Sequence, residues 1–349
     1  MFSLRSKGNL LGIDISSSAV KLIELSKSGK GYKLESYNVI PLPENVIRDR
    51  DLLDVEPVGE AIRELVKKSG TKCRRCALGI PSSVAISKTI SLPSTLTGND
   101  LESNIILEAE QHIPYPMEEV NFDFEVIGKS KHSHDSIDVL LAATRSENVE
   151  SRVAAAEIAG LTVDIVDLES HSLELVFSSL VDDVKNKNTV AIVDFGASMT
   201  GMTVFEQGHV SFSREQAFGG KELTEEIMQR YGLSFQEAGL SKKTGDLPEG
   251  YISEVLDPFR ENMVRQVNRF LQFYFASTQQ TSVDKILLSG GSASIPGIDE
   301  QIQSSTNIST LLVNPFTNMT LNSRINPTRF MNDIPSLLVA TGLSLRGFD

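Results

Sequence analysis

Tryptophan is absent from the 349 residues, and cysteine occurs only twice, as Cys73 and Cys76 in C-R-R-C. Such a pair supplies no disulfide framework, and without a second pair it lacks the ligands of a structural zinc site. Its reading is structural. No apolar run approaches the ~20 residues needed to span a bilayer. The N-terminal run Leu10-Leu11-Gly12-Ile13 meets Asp14 before it reaches signal-peptide length. Basic residues are in deficit, with 33 Lys and Arg against 46 Asp and Glu, a net charge of −13. That balance excludes a broad nucleic-acid surface and non-specific docking on an anionic leaflet. There is no Gly-x-Ser-x-Gly elbow and no P-loop. The five histidines form no metal spacing with carboxylates, and His132 and His134 fall in a polar tip. The expectation is a cytoplasmic protein with reduced thiols.

With 40% hydrophobic residues, 24 Gly and 13 Pro, the composition is globular. The length predicts about two domains. Leu10–Ile15 reads as a strand, Ser16-Ser17-Ser18 as a turn, Val20–Leu25 as a second strand and Tyr32–Ile40 as a third. This is a meander, not a βαβ start. Pro57 and Gly70 bracket a helix. The stretch from Leu101 on behaves as a unit of its own, with a helix Leu101–His112 capped by Asn99 or Asp100, two strands (Phe122–Ile127 and Ile137–Thr144) and an Ala-rich helix. A polar linker, Asp182–Asn188, marks the main boundary.

The opening pattern then recurs. Val190–Asp194 is a strand, Phe195-Gly196-Ala197-Ser198 a small-residue turn, and Thr200–Phe205 and Val210–Ala217 are the next strands. The two strand-end aspartates, Asp14 and Asp194, lie 180 residues apart. Gly219-Gly220 opens a helix, and a long helix runs from about Ile252 to Thr278 with Pro258 in its first turns. The strand Asp284–Leu288 runs into Ser289-Gly290-Gly291-Ser292. Residues 314–333 lack periodicity, and Pro335 starts a last helix to about Leu345. The aromatic cluster Phe270–Phe275 is expected to be core packing.

Three small-residue turns therefore follow three apolar strands. Small residues let backbone N–H groups approach an anion closely, and Ser or Thr hydroxyls add donors, so such turns suit phosphate. Lys21, on the second strand, is placed to reach a β-phosphate. Asp14 and Asp194 are hard oxygen ligands of the kind Mg²⁺ takes, mostly through water.

The order of these turns resembles the actin-like ATPase superfamily along essentially the whole chain. More narrowly, the sequence is similar to the PilM family of type IV pilus assembly proteins. The residues that carry this are Leu11–Leu22, Ile80-Pro81-Ser82-Ser83, Leu107–Val120 with its Glu110-Gln111-His112-Ile113-Pro114-Tyr115-Pro116 run, and Val193–Ala197.

The resemblance implies an α/β, actin-like (ribonuclease H-like) two-lobed fold with a nucleotide cleft and an FtsA-like inserted subdomain. Lobe one would be residues 1–187, with core 1–83 and 166–187 and the insert at about 84–165. Lobe two would be 188–349, with core 188–220 and 284–333, a smaller subdomain at about 221–283, and the helix 335–346 packing back on the core. ATP or ADP with Mg²⁺ is the implied cofactor. Asp14, Ser16, Ser17, Ser18 and Lys21 would meet phosphate or its metal, with Asp194, Gly196, Ala197 and Ser198 as the second phosphate loop. Gly290, Gly291 and Ser292 would form the adenosine loop, and Gly219, Gly220, Lys221 and Glu222 would lie by ribose or base. Ser16 stands where the superfamily has glycine, which argues for weak turnover at most. Asp167 and Glu169 are candidates for positioning water, or are simply caps of the following helix.

The implied partner is the cytoplasmic tail of a PilN-type membrane protein, which would place the chain at the cytoplasmic face of the inner membrane. Pilus motor ATPases, the platform protein and self-association are further expectations. Ile105, Glu108, Ile113 and Tyr115 are the candidate groove residues, with the insert's own core as the alternative reading. Two rival functions fit the same fold: an FtsA-like filament-forming actin and a small-molecule kinase.

Overall fold

The computed structural model describes residues 8–48, 50–130, 133, 135–180 and 188–348. His132, His134 and all of the expected linker except Asn188 lie outside them.

The chain opens with an antiparallel meander, β1 (Leu11–Ile15), β2 (Ala19–Ser28) and β3 (Gly31–Pro41). A short ribbon, β4 (Ile47–Arg48) and β5 (Asp51–Leu52), leads into α1 (Val55–Ser69) and β6 (Arg75–Ile80). Asp54 caps α1 by accepting from the Glu56 N–H, and Gly70 ends it at a left-handed φ of 70°. The insert follows as β7 (Ala85–Pro93), α2 (Gly98–His112), β8 (Val120–Lys129) and β9 (Ser136–Arg145). Thr97, not Asn99 or Asp100, holds the N-cap position of α2. Then come α3 (Ser146–Ile158), β10 (Thr162–Leu168) and α4 (Glu169–Ser179).

The second half repeats the meander as β11 (Thr189–Phe195), β12 (Met199–Glu206) and β13 (His209–Ala217). Helices α5 (Gly220–Tyr231) and α6 (Phe235–Thr244) lead to a π-helical turn, Ile252–Leu256, that runs into α7 (Asp257–Ser277). Pro258 sits in the first turn of α7, where its missing N–H costs nothing. The chain continues as β14 (Lys285–Ser289), α8 (Ile298–Thr306), β15 (Ser309–Leu312), β16 (Thr320–Leu321), α9 (Pro327–Asp333) and α10 (Leu338–Leu345).

The first sheet has the order β10-β6-β1-β2-β3-β16, and the second β13-β12-β11-β14-β15. Both are built alike: the meander's first strand is flanked by a parallel strand, β6 beside β1 and β14 beside β11. The insert forms its own sheet, β7-β9-β8. Two expected boundaries are corrected: the insert ends at β9 and not at about 165, because α3 packs on α1 and β10 joins the first sheet beside β6, and β16, within residues 314–333 assigned to lobe two, pairs with β3 of the first sheet. A strand of two residues is too short to show a period. Pro335 also does not start the last helix. It lies in a 3₁₀ turn, Ile334–Ser336, and helix α10 begins at Leu338.

An apolar core joins the two sheets through α4 and α10. Ile23 and Leu25 of β2, Phe177 of α4, Ile192 of β11, Phe205 of β12 and Leu338 of α10 belong to it. Phe177 stacks on Phe205 with centroids 4.9 Å apart. Helix α10 is buried from Ala340 to Leu345, and its polar groups are satisfied within the fold. The Ser344 hydroxyl donates to the Leu10 carbonyl at 2.9 Å and accepts from the Leu25 N–H at 3.2 Å. Gly12 lets this helix close on β1, because a Cβ there would lie 1.9 Å from the Ala340 carbonyl oxygen. Phe270 and Tyr274 of α7 are fully buried against the second sheet, as the aromatic cluster predicts. Among the described residues no helix is long and apolar enough to cross a membrane.

Gly12→Ala is expected to lower stability by about 1–3 kcal/mol, from overpacking against α10. Gly239→Ala is the contrast: that helical position has open space around it, and the change should add ~0.5–1 kcal/mol. Chemical denaturation of the two variants checks both signs.

Candidate functional site

A cleft of about 2270 Å³ lies between the two sheets, and both meander turns face it. The turns are built alike. The Ser16 N–H donates to the Ala19 carbonyl at 3.0 Å, and the Gly196 N–H to the Met199 carbonyl at 3.0 Å. Ser16 adds a hydroxyl bond to the same Ala19 carbonyl at 2.9 Å. Its φ is not positive, so this backbone does not require glycine, and the hydroxyl is turned into its own hairpin.

The two aspartates are held differently. Asp14 faces Lys21 across the β1–β2 pair, and the two form a buried ion pair at 2.7 Å. Burial alone lowers the Lys21 pKa, but the charge and hydrogen bond of Asp14, then the charges of Asp194 and Glu169, raise it overall. The equivalent partner of Asp194 is Gly201, which offers no cation. Asp194 instead accepts from the Ser289 hydroxyl at 2.7 Å. Burial pushes its carboxyl up, against the opposing effects of Lys21 and the Ser289 bond.

Gly201 also faces Glu215 of β13, whose carboxylate pairs with Arg50 at 2.7 Å. Glu169, the first residue of α4, lines the cleft near these groups. Burial pushes its carboxyl up to about 7; the Arg50 guanidinium opposes this, and the charges of Asp14, Glu215 and Asp194 add to it. Four carboxylates thus share the site with two cations, Lys21 and Arg50.

Most of the predicted residues meet here. Asp14, Ser16, Ser17, Ser18, Lys21, Asp194, Gly196, Ala197, Ser198, Gly220, Lys221, Gly290, Gly291 and Ser292 all line the cleft. Gly290 has a φ of 90°, and a Cβ there would meet the Phe195 carbonyl oxygen at 2.3 Å, so it locks the loop to the second turn. Gly291 has nothing within 4 Å of its Cβ position, which leaves room for a ligand. The N–H groups of Gly220 and Lys221 are used by the carbonyls of Gly196 and Ala197 at 3.0 and 2.8 Å.

Five of the candidate residues lie elsewhere, Ile105 and Ile113 in the insert's core that stood as their alternative reading. Gly219 and Glu222 do not line the cleft. Gly219 packs on the Ala197 carbonyl, where a Cβ would lie 2.4 Å away, and Glu222 accepts a bond from the Gly219 N–H. Asp167 is separated from Glu169: it is buried, accepts from the Leu168 N–H at 2.8 Å and pairs with Arg346 at 3.0 Å. Ile105 is fully buried, and Ile113 nearly so, in the insert's own core with Ile90, Val139 and Leu141. Glu108 is half-buried, while Tyr115 is exposed beneath the Arg145 guanidinium, 5.6 Å from its ring centre.

Sequence reasoning missed Arg50, Glu215 and Lys242. The Lys242 ammonium donates to the Gly220 carbonyl at 2.9 Å and the Thr224 hydroxyl at 2.7 Å. Glu215 was within reach, because counting strand register from Asp194 through Gly201 leads to it. Arg50 and Lys242 carry no local signal.

Two meander sheets with paralogous turns facing one cleft define the class: this is the actin-like ATPase fold. Residues 12–348 match the family model described as Type IV pilus assembly protein PilM, and the chain belongs to that family. Among solved structures, a chain of a "PilM-PilN type IV pilus biogenesis complex" superposes with a TM-score of 0.82 at 24% identity, covering 99% of this chain and 100% of that one. Ethanolamine utilization protein EutJ from Carboxydothermus hydrogenoformans gives a TM-score of 0.57 at 15% identity, covering 98% and 91%. Cell division protein FtsA from Bacillus subtilis (strain 168) is 21% identical over 313 residues, 76% of this chain and 70% of its own length. At these identities the likeness is one of fold.

The raised Glu169 pKa sets a pH dependence. A carboxyl near 7 when folded and 4.5 when unfolded binds more protons in the folded state, so stability falls as pH rises from about 4.5 to 7. Glu169→Gln should therefore raise the ligand-free stability at pH 8 by on the order of 1 kcal/mol after solvent screening, and the melting temperature with it. The gain should vanish below about pH 4.5, and paired thermal melts at the two pH values read it.

Proposed function

We propose that this chain is a nucleotide-binding scaffold of the type IV pilus assembly machinery. It binds ATP or ADP with Mg²⁺ in the cleft, docks the cytoplasmic tail of a PilN-type partner, and couples the two. The single observation behind this reading is the meeting of two equivalent turns, each led by a strand-end aspartate, across one cleft.

The residues fit the cofactor. A site with four carboxylates and two cations has charge for a divalent metal, and Asp14 and Asp194 would hold Mg²⁺ mostly through water. Ser17, Ser18, Ala197 and Ser198 offer turn N–H groups and hydroxyls to phosphate. Lys21, kept charged by Asp14, neutralises what the turns bind. The open face of Gly291, beside Ser292, suits adenosine. When bound, Mg²⁺ would supply positive charge to Asp14 and Asp194 and the phosphates negative charge to Lys21. Glu169, and not Asp167, is the group placed to orient a water there.

The family and the architecture of the complex-forming relative support a PilN-type partner, and with it a location at the cytoplasmic face of the inner membrane. Of the insert's candidate groove residues, Tyr115 and Glu108 retain surface for a peptide, next to exposed Ile106 and Leu107. We further propose the two-lobe division at the second meander, with β16 moved to lobe one.

The test is fluorescence anisotropy of a labelled peptide copying a PilN-type cytoplasmic tail, with and without Mg-ATP. Saturable binding whose affinity changes with Mg-ATP is expected, and Asp14→Ala should keep peptide binding but remove the nucleotide effect. No peptide binding from folded protein in either state would overturn the pilus-scaffold reading.

A further inference from the structure

Arg50 belongs to the ribbon that follows the first meander, and Glu215 to the last strand of the second. Their side chains meet across the cleft in a two-pronged contact. Arg50 Nη2 donates to Glu215 Oε1 at 2.7 Å, and Nε to Oε2 at 3.2 Å. Both are largely shielded, with side-chain exposures of 18% and 14%. A bidentate guanidinium–carboxylate pair of this kind is stronger and more directional than a lysine pair.

The surroundings hold both partners ready. Arg50 has a φ of 75°, a left-handed backbone that a non-glycine residue keeps only where its neighbours enforce it. The neighbour is Arg152, which is buried and donates through Nη2 to the Arg50 carbonyl at 2.9 Å. On the other side, Gly201 makes room for Glu215: a Cβ at Gly201 would lie 3.3 Å from Glu215 Cγ. The apolar contact between the sheets sits near Phe205 and Val210. Glu215 is five residues beyond Val210 along β13, roughly 17 Å at strand rise. A polar tie at that remove acts with leverage on the opening of the cleft.

We propose that the Arg50–Glu215 ion pair is a latch that holds the two sides of the cleft together, and that breaking it opens the cleft to ligand. The latch rests on the two-sided cleft of the proposed function, but its test needs no nucleotide, so the two readings fail separately. Two spin labels are placed at Glu60→Cys on α1 and Glu226→Cys on α5, in a Cys73→Ser background. Cys76 is buried with its thiol pushed up to about 12, and stays unlabelled. Double electron–electron resonance then reads the separation of the two sides in ligand-free protein.

The unaltered latch should give one short distance. Glu215→Gln and Arg50→Gln should each move the population to a longer one, and the exchanged pair Arg50→Glu with Glu215→Arg should move it back. If Arg50→Gln does not fold, Glu215→Gln, which keeps shape and removes only charge, decides alone. An unchanged distance in folded Glu215→Gln overturns the latch, whatever nucleotide does.

Discussion

Bringing Asp14 and Asp194 to one cleft concentrates like charge in partly dehydrated space, and the rest of the site is arranged around that repulsion. Each aspartate ends the first strand of a meander, so the fold delivers them in pairs whenever the meander is duplicated. The first copy relieves its charge with Lys21 from the neighbouring strand. The second has Gly201 at that register and relies on the Ser289 hydroxyl. The room at Gly201 admits Glu215, Glu215 brings Arg50, and burial, with the neighbouring carboxylates adding to it, pushes the carboxyls of Glu169 and Asp194 up. The difference at this one register position, Lys21 in one hairpin and Gly201 in the other, thus makes the cleft asymmetric.

Packing fixes the geometry in which this happens. Helix α10, apolar on nearly every side, lies in the core between the sheets, where Gly12 and Gly342 allow backbone contact with β1 and α4. The same device recurs at the cleft itself. Gly290 rests on Phe195, and Gly219 on Ala197, so the second turn, the start of α5 and the Gly290-Gly291 loop form one block. Small residues there serve two ends: some bring backbone to backbone, and Gly291 leaves space. Reading all of them as ligand contacts overstates the site.

That distinction marks how far the sequence could be read. The duplicated meander was legible because strand period and turn chemistry are local, and the offset between Asp14 and Asp194 is plain. The fold class came with the resemblance to the actin-like superfamily that those turns carry. What was not legible depends on neighbours far along the chain. A two-residue β16 on the first sheet and the place of β10 beside β6 are set by tertiary packing. Asp167 and Glu169 are two residues apart in the sequence, yet one turns into the core toward Arg346 and the other into the cleft. At the junction of a strand and a helix, a step of two residues no longer keeps a side chain on one face. Arg50 is the extreme case, a loop cation whose role exists only once two sheets face each other.

The central claim is that the paired aspartates make this cleft a site for a metal-bound nucleotide. Calorimetric titration of ATP into the purified chain, with Mg²⁺ and then with chelator, tests it most directly. The account predicts one-to-one saturable binding that requires Mg²⁺ and is lost in the Asp14→Ala, Asp194→Ala double variant. Equal binding with and without the metal, or none from a folded sample, would contradict it.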